Sequence, residues 1–149
     1  MLTNLQRERC YPYAGGFLAG VAVLALAKAG YSVSYSENML ASLVSLGGIF
    51  AGFLATVKTL LLTMNSETLR RLRTSGYIGD LLTYLKEGIY GSLILCVLAM
   101  LGFNEAMRWP SFHAAMLYSA LFFSLLALYR ISRISIALLL DQSDGPDND

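Results

Sequence analysis

Charged residues inside long apolar stretches are the side chains in this sequence that are best placed to do chemistry. Lys58, Lys86 and Glu87 each stand within or near the start of such a stretch. An ionisable group is costly to bury alone in an apolar environment, so it marks a functional site or a pairing between elements. A Lys58–Glu87 pair would fix the register of two neighbouring helices or would act as a gate on an ion path. The sequence leaves both interpretations open.

The single histidine, His113, follows Arg108 in an R-x4-H spacing that certain helical ribonucleases also show. The pair falls where we expect an outer membrane face, away from cytoplasmic RNA. We therefore interpret His113 as an interfacial residue, although a histidine can also act as a pH switch.

Cys10 and Cys96 lack the spacing of metal ligands. Motifs of hydrolases, phosphate-binding loops and zinc proteases do not occur. We expect no enzymatic activity, no cofactor and no metal.

Small residues are concentrated in the first half of the chain. Gly16 and Gly20 form one G-x-x-x-G pattern, and Gly48 and Gly52 form another. Inside lipid, helices associate by close backbone approach through such residues. The two patterns therefore predict faces that contact protein, either within one chain or between copies of it.

Basic side chains predict a second kind of surface, which could hold anionic lipid headgroups or a soluble partner protein. This predicted cytoplasmic face consists of Arg70, Arg71, Arg73, Arg130 and Arg133.

The composition predicts the class of fold that contains these residues. The chain has 149 residues, of which 56% are hydrophobic and 14% are charged. Soluble domains carry about 25% charged residues, and a short chain cannot hide this much apolar surface from water. The net charge of +1 and the absence of a basic face with aromatic platforms argue against nucleic-acid binding. We predict an all-α integral membrane protein.

Four stretches are long enough to cross a hydrocarbon core, which needs about 20 apolar residues. Residues 1–140 are predicted to form a four-helix transmembrane domain, with a short amphipathic turn after the second helix and an extension of the fourth to residue 140. Residues 141–149 are predicted to be a disordered acidic tail. The four predicted helices are residues 11–29, 39–64, 81–103 and 111–129.

Lysine and arginine set the orientation of such helices. Basic residues lie before the first helix, between the second and third, and after the fourth, whereas the two other connections hold one arginine between them. Both termini are therefore predicted to be cytoplasmic, in a multi-pass protein of the bacterial inner membrane.

A family resemblance rests on the middle of the chain. Ala51-Gly52 is followed by Leu69-Arg70-Arg71-Leu72, then by Ser75-Gly76-Tyr77, and the next apolar run reaches Cys96. This order resembles the small four-helix membrane proteins of phage and bacterial defence loci, in particular the family of the lambda-phage Rex membrane protein. The resemblance covers about a third of the chain, and Glu67 and the acidic tail depart from it. It implies depolarisation of the membrane through an oligomeric pore, triggered by a cytoplasmic sensor of infection.

We therefore expect a homo-oligomeric pore or a membrane-disrupting effector. One protomer is too small to enclose a wide channel, so uncharged hydroxyl-bearing helix faces would line an axis between copies. The alternative is a non-conducting anchor or accessory subunit that recruits a soluble protein through its arginine-rich face. A small transporter remains a third interpretation, although the two halves show no internal repeat. The predicted pore-lining residues are Ser42, Ser45, Thr56, Ser119 and Ser124.

Overall fold

A computed structural model describes residues 2–31, 35–63, 77–104 and 110–143 of the chain. These residues form an all-α structure with four long helices, as the apolar pattern predicts. The helices are α1 (Leu2–Lys28), α2 (Glu37–Thr63), α3 (Tyr77–Leu101) and α4 (Pro110–Ser143).

Two helices are longer than the apolar pattern predicts. α1 begins at Leu2, nine residues before the predicted start at residue 11. α4 ends at Ser143, so the first three residues of the predicted acidic tail are helical. The remaining tail and the arginine-rich segment that holds Arg70, Arg71 and Arg73 lie outside the described residues.

Local chemistry accounts for the turn between α1 and α2. Gly30 has a φ of 87°, a left-handed conformation that costs glycine little. The Tyr31 amide donates to the Leu26 carbonyl at 3.1 Å and the Gly30 amide to the Ala27 carbonyl at 3.2 Å. This is the Schellman pattern that closes a helix C-terminus. Ser36 then caps α2, because its Oγ accepts from the Met39 amide at 3.3 Å.

The helices pack in the spatial order α1–α4–α3–α2, which differs from their order along the chain. Each neighbouring pair is antiparallel. Gly20 faces Ala115 and Ser119, whereas Gly16 faces Ser119 and Phe123 farther along α4. Within the described residues, no Cα atom of α1 lies within 8 Å of α2 or α3, apart from chain neighbours. α1 and α2 are therefore the two edges of the bundle.

The buried core is divided between the two ends of the bundle. One cluster consists of Leu54, Leu81, Tyr84, Leu85 and Ile131, where α2, α3 and α4 meet. At the opposite end, Leu40, Leu43, Ala99 and Leu117 join the same three helices. α1 has a smaller cluster, in which Val23 packs on Ala114 and Ala115.

Much of the remaining apolar surface is exposed. Phe17 is 71% exposed on α1, and Ile49 is 66% exposed on α2. Each helix contains a segment long and apolar enough to cross a membrane, and these candidate spans are Cys10–Lys28, Glu37–Leu61, Leu81–Leu101 and Ser111–Ile134.

Candidate functional site

An ion pair joins α3 to α4 inside the candidate spans. Arg130 Nη2 donates to Glu87 Oε2 at 3.1 Å, and the two side chains are 6% and 27% exposed. The Arg130 guanidinium also lies 3.8 Å from the centroid of the Tyr84 ring. A cation over an aromatic face is stabilised by the negative potential of the ring. Arg130 therefore has two favourable partners on α3, and the charge of Glu87 is balanced within the bundle.

Tyr13 brings α1 to the same cluster. Tyr13 and Glu87 line the same groove between α1 and α3. The ring of Tyr13 packs against Phe123 of α4, with the ring centroids 5.0 Å apart and the planes tilted by 55°. We call the part of the bundle around Tyr13, Tyr84, Glu87 and Arg130 the ion-pair end. Three of the four helices meet there through polar side chains.

The partner of Glu87 differs from the predicted one. The sequence analysis paired Glu87 with Lys58 of α2, whereas the ion pair that the structure shows is with Arg130 of α4. The reason is the packing order, since the face of α3 that carries Glu87 turns toward α4. Lys58 is half-buried on α2.

The predicted arginine-rich face also needs correction. Arg130 does not belong to it, because its side chain is 6% exposed and is held within the bundle. The predicted membrane-spanning part of the fourth helix ended at residue 129, which put Arg130 in the cytoplasmic extension, but the candidate span continues to Ile134. Arg133, one turn later, is exposed as predicted. The three other arginines of this face lie outside the described residues.

The first glycine pair packs within the protomer. A Cβ added at Gly16 would lie 3.0 Å from the Ser119 carbonyl oxygen and 3.2 Å from Phe123 Cβ. A Cβ added at Gly20 would lie 3.3 Å from Ser119 Cβ. All three distances are tighter than ordinary van der Waals contact, so α1 needs glycine here to lie this close to α4.

The second glycine pair behaves differently. No described atom lies within 4 Å of a Cβ added at Gly48 or at Gly52. Gly47 is the glycine of α2 that packs, since its added Cβ would meet Cys96 Sγ at 2.6 Å and the Ser92 carbonyl oxygen at 3.0 Å. The Cys96 thiol meanwhile donates to the Val44 carbonyl at 3.4 Å. Of the two predicted packing faces, one is thus used inside the protomer and the other is open.

An exposed strip of small residues therefore runs the length of α2. We call it the α2 small-residue face. Its members recur every three or four residues, so they share one side of the helix. They are Ala41, Ser45, Gly48, Gly52, Ala55, Thr56, Thr59 and Thr63, and all are exposed.

The hydroxyl groups of this face are bonded to their own helix. Ser45 Oγ donates to the Ala41 carbonyl at 3.1 Å, and Thr56 Oγ1 donates to the Gly52 carbonyl at 2.9 Å. Thr59 makes the same bond to Ala55 at 3.0 Å. Such bonds satisfy the hydroxyl proton inside an apolar environment and leave the oxygen able to accept. The face is thus compatible with contact to another helix and with contact to water.

The predicted pore-lining residues fall into two groups. Ser42, Ser45 and Thr56 are exposed on α2. Ser119 of α4 is instead packed against Gly16 and Gly20 of α1. Ser124 is 1% exposed, and its Oγ donates to the Ala120 carbonyl at 2.8 Å. The prediction for Ser124 is wrong, because a side chain buried inside the protomer cannot line an axis between protomers.

His113 was predicted to be interfacial, but it is 2% exposed. Its Nε2 lies 2.9 Å from the Leu98 carbonyl oxygen, and its Nδ1 lies 2.9 Å from the Tyr35 hydroxyl. A carbonyl can only accept, so Nε2 carries a proton; in the neutral ring Nδ1 then accepts from Tyr35. We call this region the histidine end. It ties the start of α4 to the end of α3 and to the turn before α2.

The residues that sequence reasoning missed are the partners contributed by other helices. Tyr84 lies three residues before Glu87 and therefore shares its side of α3, a spacing that the sequence displays. Tyr13 and Tyr35 carry no comparable signal, because their partners are distant in the chain. Neither a protein-family model, nor a curated protein, nor a solved structure matches this chain at a significant level.

Proposed function

We propose that the protein crosses the bacterial inner membrane four times, with both termini in the cytoplasm, and assembles into a homo-oligomeric pore. Four long apolar helices in the described residues support the membrane part of this proposal. The placement of lysine and arginine supports the orientation. Opening of the pore would depolarise the membrane, as in the defence proteins that the central sequence resembles.

The observation that carries the proposal is the α2 small-residue face. Helix surfaces that face lipid are covered with large apolar side chains, as on α1, where Phe17 and Leu18 are exposed. One side of α2 instead exposes glycine, alanine, serine and threonine from Ala41 to Thr63, and Ile49, Phe53 and Leu60 are exposed beside it. Small residues of this kind are enriched where membrane helices contact one another. Gly48 and Gly52 of this face meet no helix in the described part of the chain, and a second copy would supply one.

The same face suggests how water could be admitted. In a ring of protomers with α2 nearest the axis, Gly48 and Gly52 allow neighbouring α2 helices to approach closely. Ser42, Ser45 and Thr56 lie on or beside this face, and their oxygens can accept hydrogen bonds from water. Such a lining is uncharged and polar, which permits ions to pass without a fixed charge to trap them.

Electrical recording combined with cysteine labelling tests this function. The purified chain in planar bilayers is expected to conduct, and Ser45→Cys and Thr56→Cys are expected to be blocked by a water-soluble, charged thiol reagent. Cys10 and Cys96 are replaced by serine in every variant. The conductance of each variant is measured before and after the reagent is added.

Two matched controls accompany these variants. Ser124→Cys places the thiol inside the protomer. The side chain of Val97 on α3 is 56% exposed, so Val97→Cys places the thiol on the outer surface. Neither is expected to be blocked. A chain that inserts but never conducts, or that is blocked equally at Val97, would rule out a pore lined by α2.

A membrane anchor is the second candidate, and one observation favours it. Two neighbouring helices continue past their candidate spans at the same end of the bundle. α1 begins eight residues before Cys10, and α4 continues nine residues beyond Ile134. Helical projections of this length offer a platform for a soluble protein. Replacing Arg70, Arg71 and Arg73 by glutamate would release such a partner into the cytosol, whereas a pore without a partner would lose only lipid contact.

A further inference from the structure

A groove of about 660 Å³ opens on the surface between α1 and α3, with α4 as its floor. It exists because α1 and α3 both pack on α4 without their backbones approaching each other. The volume lies within the range of small-molecule sites in proteins, about 300–1,000 Å³. The groove runs from the ion-pair end toward the histidine end and is not part of the α2 small-residue face.

The lining of the groove is aromatic and apolar, with a single charge. Five aromatic side chains contribute to it: Tyr13, Phe17, Tyr90, Phe112 and Phe123. Among the described residues that line it, only Glu87 is ionisable near neutral pH, and its side chain is 27% exposed. Arg130, the partner of Glu87, does not line the groove and is 6% exposed. A molecule in the groove therefore meets the carboxylate from its open side, with the guanidinium behind it.

We propose that this groove binds a lipophilic organic cation, such as a quaternary ammonium or phosphonium compound, with its charge beside Glu87. The proposal goes beyond the pore function and does not depend on it. Charge complementarity favours a cation, since the carboxylate of the Glu87–Arg130 pair lines the groove and its guanidinium partner does not. Aromatic rings favour the same ligand, because their faces attract cations.

The ion pair with Arg130 does not block such a ligand. Arg130 contacts the carboxylate through one nitrogen and one oxygen, and an ionised carboxylate can accept several donors or cations. Lys86, which does not line the groove, has its Nζ 6.0 Å from the centroid of the Tyr90 ring, at the outer limit of a cation–π contact.

The depth of Glu87 restricts the ligand further. Glu87 lies six residues into the Leu81–Leu101 span, which corresponds to about 9 Å along a helix. A phospholipid headgroup would have to leave the interface to reach this position. A compact cation with a delocalised or shielded charge and apolar substituents fits both the depth and the lining, since it is the least costly kind of charge to place there.

Binding of tetraphenylphosphonium to the full chain in lipid nanodiscs tests the proposal, with empty nanodiscs as the background. Tetraphenylborate has the same shape and the opposite charge. We expect saturable binding of the cation and much weaker binding of the anion. Equal binding of both ions, or binding of neither, would overturn the proposal; the first result would describe a groove that holds any apolar molecule, including a lipid chain.

Variants then locate the site. Glu87→Gln should weaken binding about tenfold or more, the loss expected for one charge-assisted contact. Its matched control is Glu37→Gln, which removes an exposed carboxylate at the start of α2. Unchanged binding by Glu87→Gln, or an equal loss in both variants, would contradict the assignment.

A second pair of variants leaves the ion pair intact, in case Glu87→Gln does not fold. Met116 lines the groove and is 44% exposed, whereas Met100 is 57% exposed on α3 outside it. Met116→Trp should fill the groove and abolish saturable binding, and Met100→Trp should not change it. Binding that survives Met116→Trp would place the cation elsewhere. Because binding is read without electrical recording, a chain that does not conduct could still pass this test.

Discussion

Arg130 Nη2 donates to Glu87 Oε2 at 3.1 Å, and this contact joins a nearly buried cation on α4 to a carboxylate on α3. Both residues lie within candidate spans, and their side chains are only 6% and 27% exposed. Removing one residue leaves the other charge without its ion-pair partner, and the asymmetry between single and double substitutions gives the first prediction.

Arg130→Met or Glu87→Met alone should lower the free energy of unfolding by up to about 3–5 kcal/mol, because each removes one member of a largely buried ion pair. The double variant should cost less than either single change. Arg133→Met is the matched control, since Arg133 is exposed one turn later on α4. A mixed-detergent titration measures the free energy of unfolding of all four variants. A double variant whose loss equals the sum of the single losses would show that the two side chains do not interact.

The ring of Tyr84 and its hydroxyl should contribute differently to stability. The ring lies under Arg130, whereas the buried hydroxyl has no hydrogen-bond partner in the part of the chain that the structure describes. Tyr84→Phe keeps the ring and removes an unsatisfied polar atom, so stability should stay the same or rise. Tyr84→Leu removes the cation–π contact and should cost about 1–2 kcal/mol. The same detergent titration compares them, and a large loss in Tyr84→Phe would reveal a partner for the hydroxyl.

Substitutions in the two glycine pairs should have different effects, one on the stability of the protomer and the other on its proposed assembly. Gly16→Leu should destabilise the protomer, because even a Cβ at this position would lie 3.0 Å from the Ser119 carbonyl oxygen. Gly52→Leu meets no described atom within 4 Å, so the protomer should fold normally while the oligomer dissociates. Mass photometry or crosslinking measures the oligomer, and the detergent titration measures the fold. Normal oligomers in Gly52→Leu would remove the α2 small-residue face from the proposed interface.

Nε2 of His113 should carry a proton, because it faces the Leu98 carbonyl oxygen, which can only accept. The chain has one histidine, so nitrogen NMR of histidine-labelled protein reports this ring without assignment work. Tyr35→Phe removes the donor to Nδ1 and should shift that resonance while Nε2 remains protonated. An Nε2 without a proton in the unmodified protein would contradict the hydrogen-bond direction that the carbonyl of Leu98 imposes.

Sequence patterns predicted the four helices because hydrophobic length is a local property. They misplaced Arg130 for an equally local reason: a charge beside an apolar run suggests the end of a span, and the partner that holds Arg130 within the bundle lies on another helix. The burial of His113 depends on Tyr35 and Leu98, which approach it through the packing of other helices. No window of sequence around residue 113 contains both partners.

The glycine patterns also show that contacts between distant parts of the chain cannot be predicted from a local motif. Both have the spacing G-x-x-x-G, and both predict close approach of a helix. Gly16 and Gly20 meet α4 of the same protomer, whereas Gly48 and Gly52 meet nothing in the described residues. The motif predicts a helix surface that another helix can approach closely, and the packing order of the helices determines which of the two surfaces is in contact. Hydropathy does not predict that packing order.

The packing order also has a consequence for biosynthesis. α1 leaves the ribosome first, but its helix neighbour in the bundle is α4, which leaves last. α2 and α3 can pair as an antiparallel hairpin as soon as both have emerged from the ribosome, whereas α1 lacks its neighbour until α4 has also emerged. A released chain that ends just before Ser111 should therefore contain a formed α2–α3 hairpin and an undocked first helix. In that interval, Gly16 and Gly20 would be open to insertion factors or proteases.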